Sequence, residues 1–130
     1  MKFMKQTILI IEDNAQNMYM LSYLLKQSHY TVIEAFNGLD GLKMAHDNNP
    51  EIILIDIQLP DMDGYEICNK LRHNGLPKNT TIIAVTSYAM GGDKEKALEA
   101  GADGYLEKPI NPETFVIQME SIINSKIRNE

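Results

Sequence analysis

Carboxylate side chains stand at the ends of two short apolar runs in this sequence. Glu12 and Asp13 follow the run Thr7–Ile11, and Asp56 follows the run Ile52–Ile55. Runs of this composition predict β-strands, and the carboxyl ends of parallel strands meet at one edge of a sheet. If these two strands are neighbours, we expect the three carboxylates to lie within a few ångströms of one another.

Three carboxylates that close repel one another, so one of them must take up a proton or a cation must neutralise the group. Oxygen ligands favour a hard divalent cation, and Mg²⁺ typically uses one or two carboxylates together with waters and a phosphate oxygen. A metal-bound carboxylate can also attack phosphorus and form an acyl phosphate. We therefore expect Asp56 to be the nucleophile, Asp13 the main Mg²⁺ ligand and Glu12 an outer ligand that acts through water.

Two further predicted strands end in groups that suit the same chemistry. Thr86 and Ser87 follow the run Thr81–Val85, and Lys108 comes soon after the weaker run Gly104–Leu106. Phosphoryl transfer needs cations and hydrogen-bond donors already in place around the reacting group. Lys108 would supply a countercharge, and Thr86 would donate its hydroxyl to the transferred phosphoryl group.

Each of these residues also has an ordinary structural interpretation. Asp13 could cap a helix, Asp56 could end a strand in a turn, and Thr86 could simply favour a strand. Lys108 could be a solvated surface amine. These interpretations are independent of one another, and none requires these residue types at these strand ends. The combination therefore favours a phosphoryl-transfer site.

The segments between the strands predict helices, because their apolar residues recur at steps of three and four. The predicted helices are Ala15–Ser28, Gly38–His46, Tyr65–Arg72, Asp93–Ala100 and a fifth that opens at Asn111-Pro112, a capping residue before a first-turn proline. With Thr31–Ala35 as the second strand, five strands alternate with five helices. This alternation predicts an α/β fold with a doubly wound parallel sheet.

Length and composition limit the class of protein. A chain of 130 residues suits one domain, and we expect its core to span about Lys5 to Ile127, with no output domain. The net charge of −6 argues against direct binding to nucleic acid. The single cysteine, Cys68, cannot form an internal disulfide, and the apolar runs are far shorter than the ~20 residues that cross a bilayer. We expect a cytoplasmic protein that inserts into no membrane.

The sequence resembles the receiver domains of two-component response regulators, the CheY-like family. The motifs that carry the resemblance are Ile8–Asn14 (ILIIEDN), Ile55–Gly64 (IDIQLPDMDG), Ala84–Ser87 (AVTS) and Lys108-Pro109. The resemblance covers about Lys5 to Ile127. It implies a flavodoxin-like sheet with the strand order 2-1-3-4-5.

The resemblance also implies roles for the acidic residues. Asp56 matches the aspartate that a partner's phosphohistidine phosphorylates, and Glu12 and Asp13 match the pair that binds Mg²⁺. Gln58 matches the position whose backbone carbonyl completes the metal site.

Further motif positions imply a conformational switch. Thr86 matches the switch hydroxyl, Lys108 the lysine of the phosphate site, and Tyr105 the aromatic residue whose rotamer follows the switch. Ser87, beside Thr86, is expected at the same phosphate site.

Four positions carry narrower expectations. The peptide bond before Pro109 is expected to be cis. Gly64 closes the turn into the third helix, where we expect a tight backbone to need a positive φ. Gln58 and Tyr88 are expected to flank the path of the hydrolytic water, so their bulk would slow dephosphorylation.

The resemblance implies a signalling switch rather than an enzyme, one that catalyses only its own phosphorylation and dephosphorylation. A sensor histidine kinase or a histidine phosphotransfer protein would phosphorylate Asp56. The fourth helix, fifth strand and fifth helix would then bind a downstream protein, with the receiver a monomer or a phosphorylation-dependent dimer. Glu12–Asn14 followed by Asn17 resembles the start common to hybrid-kinase receivers and to stand-alone receivers of cell-division control. The stretches Tyr88–Met90 and Gly92-Asp93 are similar to those stand-alone receivers as well, so the resemblance favours a DivK-like regulator.

Other functions are also compatible with this architecture. Within the family, the chain could be an intermediate phosphate carrier of a phosphorelay or the receiver fragment of a hybrid kinase. A flavodoxin-like binder of a small molecule would need a loop after the first strand that cradles phosphate, and the acidic segment at Glu12 would repel it. An aspartyl phosphohydrolase usually has a second acid two residues after the nucleophile, where this chain has Gln58.

Overall fold

The computed structural model describes residues 6–87 and 92–128. In these ranges strands and helices alternate along the chain. Their bounds are β1 Thr7–Ile11, α1 Ala15–Gln27, β2 Thr31–Ala35, α2 Gly38–Asn48, β3 Ile52–Asp56, α3 Gly64–His73, β4 Thr81–Thr86, α4 Asp93–Glu99, β5 Gly104–Glu107 and α5 Phe115–Arg128.

The strands form one parallel sheet in the order β2-β1-β3-β4-β5, which confirms the predicted doubly wound fold. β1 and β3 are direct neighbours, with Ile8 opposite Ile52 and Ile11 opposite Ile55. The residues that follow Ile11 and Ile55 therefore leave the sheet side by side. This register is what places Glu12 next to Asp56.

Helices cover both faces of the sheet. Alternate residues of β1, Leu9 and Ile11, pack with α2, α3 and α4, while Ile8 and Ile10 pack with α1 and α5. Because both faces are buried, the central strands show no alternation of polar and apolar residues. Among the described residues, no helix is long and apolar enough to cross a membrane.

An ion-pair network ties the helices together at the amino ends of β4 and β5. The Asp103 carboxylate accepts hydrogen bonds from Arg72 of α3 at 2.6 Å, from Lys126 of α5 at 3.1 Å and from the Ile82 N–H at 2.8 Å. Arg72 also donates to the main-chain carbonyls of Thr80 and Gly101. These contacts stabilise the end of the sheet opposite the carboxylates.

Three predicted element boundaries differ from the structure in an informative way. β3 and β4 each extend by one residue, so Asp56 and Thr86 are the last residues of their strands. α5 begins at Phe115 and not at Asn111-Pro112. The Asn111 side chain accepts the Glu113 N–H at 2.9 Å, and its carbonyl accepts the Phe115 N–H at 2.9 Å. Asn111 therefore caps a turn that leads into the helix.

The expectation of a positive φ at Gly64 is wrong. Among the described glycines, Gly75 and Gly101 have positive φ, and Gly64 does not. What Gly64 provides is space, because a Cβ there would lie 2.5 Å from the Ile57 Cα and 2.9 Å from the Asp56 carbonyl oxygen. The start of α3 can therefore approach the end of β3 only without a side chain.

We predict that Gly64→Ala destabilises the fold, because the added methyl group meets backbone atoms that cannot rotate away. The expected loss in the free energy of unfolding is ~1–3 kcal/mol, typical of overpacking. Urea denaturation measures it. Gly92→Ala is the matched control, since a Cβ at Gly92 has open space around it and should cost less than about 1 kcal/mol. Equal losses in both variants would show that the close approach at Gly64 does not affect the free energy of unfolding.

Candidate functional site

The structure brings Glu12, Asp13 and Asp56 together at the carboxyl edge of the sheet. One carboxylate oxygen from each residue lies within 4.8 Å of the other two. Glu12 and Asp56 are buried, at 2 % and 4 % exposure, while Asp13 is exposed. The cluster therefore has two desolvated carboxylates and one that faces solvent.

Lys108 supplies a positive charge to the two buried carboxylates. Its Nζ lies 3.0 Å from Glu12 Oε1 and 3.1 Å from Asp56 Oδ2. The backbone N–H of Lys108 donates to the Thr86 carbonyl at 2.8 Å, which ties the lysine to the end of β4. The Lys108–Pro109 peptide bond is cis, as the resemblance implies.

The electrostatics of the cluster shift two pKa values. Burial raises the pKa of Glu12, and the nearby Asp56 charge raises it further, while the Asn14 N–H and Lys108 offset part of the effect. Burial alone would lower the pKa of Lys108, but its hydrogen bonds and ion pairs with Glu12 and Asp56 outweigh burial and raise it. Lys108 is therefore firmly charged at neutral pH.

The donor set fits a hard divalent cation such as Mg²⁺. When ionised, the three carboxylates carry −3 and Lys108 carries +1, which leaves a net charge of −2. All the ligand atoms offered are oxygens, and Asp13 faces solvent, where bound waters can complete the coordination. One divalent cation would balance the cluster.

Asn14, and not Asp13, caps α1. The Asn14 side chain accepts the Asn17 N–H at 2.9 Å, and the Asn14 N–H donates to Glu12 Oε2 at 3.0 Å. The capping role considered for Asp13 therefore falls on its neighbour, and the Asp13 carboxylate lies with the acidic cluster.

Gln58 lies directly beside Asp56 at the start of the β3–α3 loop. Its backbone N–H donates to Asp56 Oδ1 at 3.0 Å, so both oxygens of Asp56 have a donor, one from Gln58 and one from Lys108. Gln58 also forms an isolated antiparallel bridge with Asp63. The start of the loop is thus held against the carboxylate.

The predicted switch residues lie on β4 and β5 or directly after β4. Thr86 is buried at the end of β4 opposite Glu107, and Ser87 is exposed beside it. Tyr105 is half-buried in β5, and the Lys94 Nζ lies 5.7 Å from the centre of its ring. Tyr88, predicted to flank the water path, lies outside the described residues.

The sequence patterns did not indicate two contacts near the site. Asp61 accepts hydrogen bonds from the N–H groups of Gly38 and Leu39 at the start of α2, and Lys94 lies over Tyr105. The Asp61 contacts join residues 23 and 22 positions apart. Contacts between residues so far apart produce no periodic pattern in the sequence, so they can be identified only in the folded structure.

Comparison with known proteins finds chains similar to this one among response regulators. Residues 8–120 match the family model of the response regulator receiver domain. The chain is 36 % identical over 120 residues to the polar-differentiation response regulator DivK of Brucella anthropi, an alignment that covers 92 % of this chain and 98 % of that protein.

Solved structures show the same fold. The chemotaxis response regulator CheY4 of Vibrio cholerae matches with a TM-score of 0.85 and 28 % identity, over 89 % of this chain and 97 % of that one. The receiver domain of the sensor histidine kinase PA1611 of Pseudomonas aeruginosa matches with a TM-score of 0.82 and 31 % identity, over 92 % and 98 % of the two chains. That structure has a magnesium ion coordinated in its active-site cleft.

We predict that Asp13→Asn stabilises the metal-free protein, because it removes repulsion within the cluster and leaves both ion pairs of Lys108 intact. The expected gain in the free energy of unfolding is about 1 kcal/mol, the size of the interaction between two unit charges ~4 Å apart in water. Urea denaturation with a chelator present measures the gain, and excess Mg²⁺ should abolish it.

The control is Glu95→Gln, which neutralises an exposed carboxylate on α4. We expect it to change the stability by no more than a few tenths of a kcal/mol, as is usual for surface sites. An Asp13→Asn protein no more stable than the wild type in the chelator would contradict the repulsion.

Proposed function

The chain belongs to the response regulator receiver domain family, and from that premise we propose that Asp56 accepts a phosphoryl group from a phosphohistidine. The donor would be a sensor histidine kinase or a histidine phosphotransfer protein. The observation that carries the proposal is the setting of Asp56, a buried carboxylate beside Glu12 and Asp13 whose second oxygen lies 3.1 Å from the Lys108 Nζ.

The reaction transfers the phosphoryl group from nitrogen to oxygen. A carboxylate oxygen of Asp56 attacks phosphorus, the phosphorus–nitrogen bond of the donor breaks, and the imidazole leaves with the bonding electrons and takes up a proton. The product is an acyl phosphate on Asp56. Lys108, already beside the carboxylate, supplies a positive charge to the incoming oxygens without rearrangement.

Asp13, Asp56 and the Gln58 carbonyl would hold Mg²⁺, with Glu12 as an outer ligand through water. When bound, the ion would neutralise charge on the phosphoryl oxygens and bring them close to the carboxylate. The all-oxygen acidic cluster, with a net charge of −2 when its acids are ionised, and the magnesium in the related PA1611 receiver support this assignment.

Phosphorylation would then change the surface formed by α4, β5 and α5. The Thr86 hydroxyl would move to bond a phosphoryl oxygen, and Tyr105 would turn inward. α4 is suited to repositioning, because it has seven residues, its N-cap Gly92 provides no side-chain hydrogen bond, and Ala97 is its one described side chain that is buried.

We further propose a DivK-like role, in which the receiver signals by binding histidine kinases or exchanging phosphate with them. The similarity to the Brucella polar-differentiation regulators supports this role. Exposed apolar side chains on the proposed output helices, Leu98 of α4 and Ile117 of α5, offer contact area for a protein partner.

We predict that incubation with a small phosphodonor and Mg²⁺ adds one phosphoryl group to the chain, because the site supplies both the nucleophile and its countercharges. Intact-mass measurement detects the addition. Asp56→Asn should abolish it, whereas Asp63→Asn, a carboxylate in the same loop that caps α3, should leave the extent of labelling unchanged. Persistent labelling of Asp56→Asn would refute the assignment of the nucleophile.

We also predict that Thr86→Ala separates phosphorylation from the conformational response. The substitution removes the hydroxyl that would bond a phosphoryl oxygen, but it leaves Asp56 in place. The variant should still be phosphorylated, but the NMR signals of the Tyr105 ring should no longer shift. Thr86→Ser retains the hydroxyl and should respond like the wild type. A full Tyr105 response in Thr86→Ala would show that the signal does not pass through this hydroxyl.

A further inference from the structure

Asp61 fastens the loop that follows the phosphoacceptor strand to a different part of the fold. Its Oδ1 accepts the Gly38 N–H at 2.8 Å and its Oδ2 accepts the Leu39 N–H at 3.1 Å. Both donors belong to the first turn of α2, where N–H groups have no partner within the helix. The hydrogen bond from the Gly38 N–H and, to a smaller extent, that from the Leu39 N–H lower the pKa of Asp61. It is therefore the ionised carboxylate that accepts both hydrogen bonds.

Packing brings the same two segments together independently of the hydrogen bonds. A Cβ at Gly38 would lie 2.9 Å from the Ile67 Cδ1 and 3.0 Å from both the Cβ and the sulfur of Met62. Met62 in turn packs against the core cluster on this face of the sheet. The β3–α3 loop therefore rests on the start of α2, and Asp61 is the polar link within an apolar contact.

This link joins the two sides of the acidic cluster. On one side, the loop begins at Gln58, whose N–H is bonded to Asp56. On the other side, α2 follows β2 closely, and the Ala35 carbonyl at the end of β2 accepts the Glu12 N–H at 3.0 Å. Asp61 thus closes a ring of contacts that runs from Glu12 through β2 and α2 to the loop and back to Asp56.

We propose that Asp61 is a positioning residue for the metal site: by tying the β3–α3 loop to α2, it fixes the main chain at Gln58 where its carbonyl can bind Mg²⁺. This inference rests on the proposed function, because that proposal assigns the Gln58 carbonyl to the metal. The Asp61 side chain itself binds the two main-chain N–H groups of α2. It acts on the site through the loop.

Two substitutions separate this role from a simple effect of charge. Asp61→Ala removes the charge and both hydrogen bonds, whereas Asp61→Asn removes the charge but retains an oxygen that can accept from Gly38. Calorimetric titration with Mg²⁺ measures the affinity. We expect Asp61→Ala to weaken binding about 10-fold, as is usual when a group that orients a metal ligand is lost. The Mg²⁺ affinity of Asp61→Asn should stay within about 3-fold of the wild-type affinity, because this variant loses at most one of the two hydrogen bonds.

Asp47→Ala is the matched control. It removes a carboxylate from the last turn of the same helix, where Asp47 pairs with Lys43 on the surface. Its Mg²⁺ affinity should equal that of the wild type. Wild-type affinity in Asp61→Ala, or an equal loss in Asp61→Ala and Asp61→Asn, would overturn the inference, because the hydrogen bonds would then be irrelevant to metal binding.

A second readout needs no metal and separates this inference from the proposed function. In the metal-free protein, the amides of Gly38, Leu39 and Gln58 should exchange with solvent faster in Asp61→Ala than in the wild type or Asp61→Asn. Unchanged exchange at Gln58 would overturn the positioning role. If the wild type binds no Mg²⁺ while the amide effect is present, the metal assignment fails and the mechanical link through Asp61 stands.

Discussion

Two buried carboxylates share one ammonium group at the carboxyl edge of the sheet, and the rest of the site depends on this charge balance. Desolvated charges cost several kcal/mol each unless they are paired. Lys108 contacts both Glu12 and Asp56, and Asp13 adds a third negative charge from the solvent side. When all three acids are ionised, the cluster has an excess of negative charge that a divalent cation can neutralise. In the proposed reaction, a phosphoryl group would then approach Asp56.

The fold concentrates this unfavourable charge at one end and stabilises the other. β1 and β3 are buried on both faces, and the network of Asp103 with Arg72 and Lys126 secures α3 and α5 at the amino ends of β4 and β5. The buried strands and this network thus offset the repulsion between carboxylates that lie within 4.8 Å of one another. Functional sites commonly depart from the arrangement that stability alone would favour.

The strands and the helices could be predicted from the sequence because each depends on local pattern. The convergence of the acids could be predicted only on the condition that β1 and β3 are neighbours. β1 and β2 have the predicted bounds, since each is a short β-branched run between polar segments. The strand order, by contrast, came from resemblance to a family. The space required at Gly64, the start of α5 and the link through Asp61 depend on contacts between distant segments or on turn geometry. No residue spacing encodes those contacts.

The most direct test of the proposed phosphoacceptor is to locate the phosphoryl group in the wild-type chain. Borohydride reduction of the phosphorylated protein converts an aspartyl phosphate to homoserine, and tandem mass spectrometry of the peptides identifies the position. We expect homoserine at residue 56 alone, formed only when Mg²⁺ accompanied the phosphodonor. Homoserine at another position, or at residue 56 with equal yield in a chelator, would contradict the assignment of this carboxylate cluster as the phosphoacceptor site.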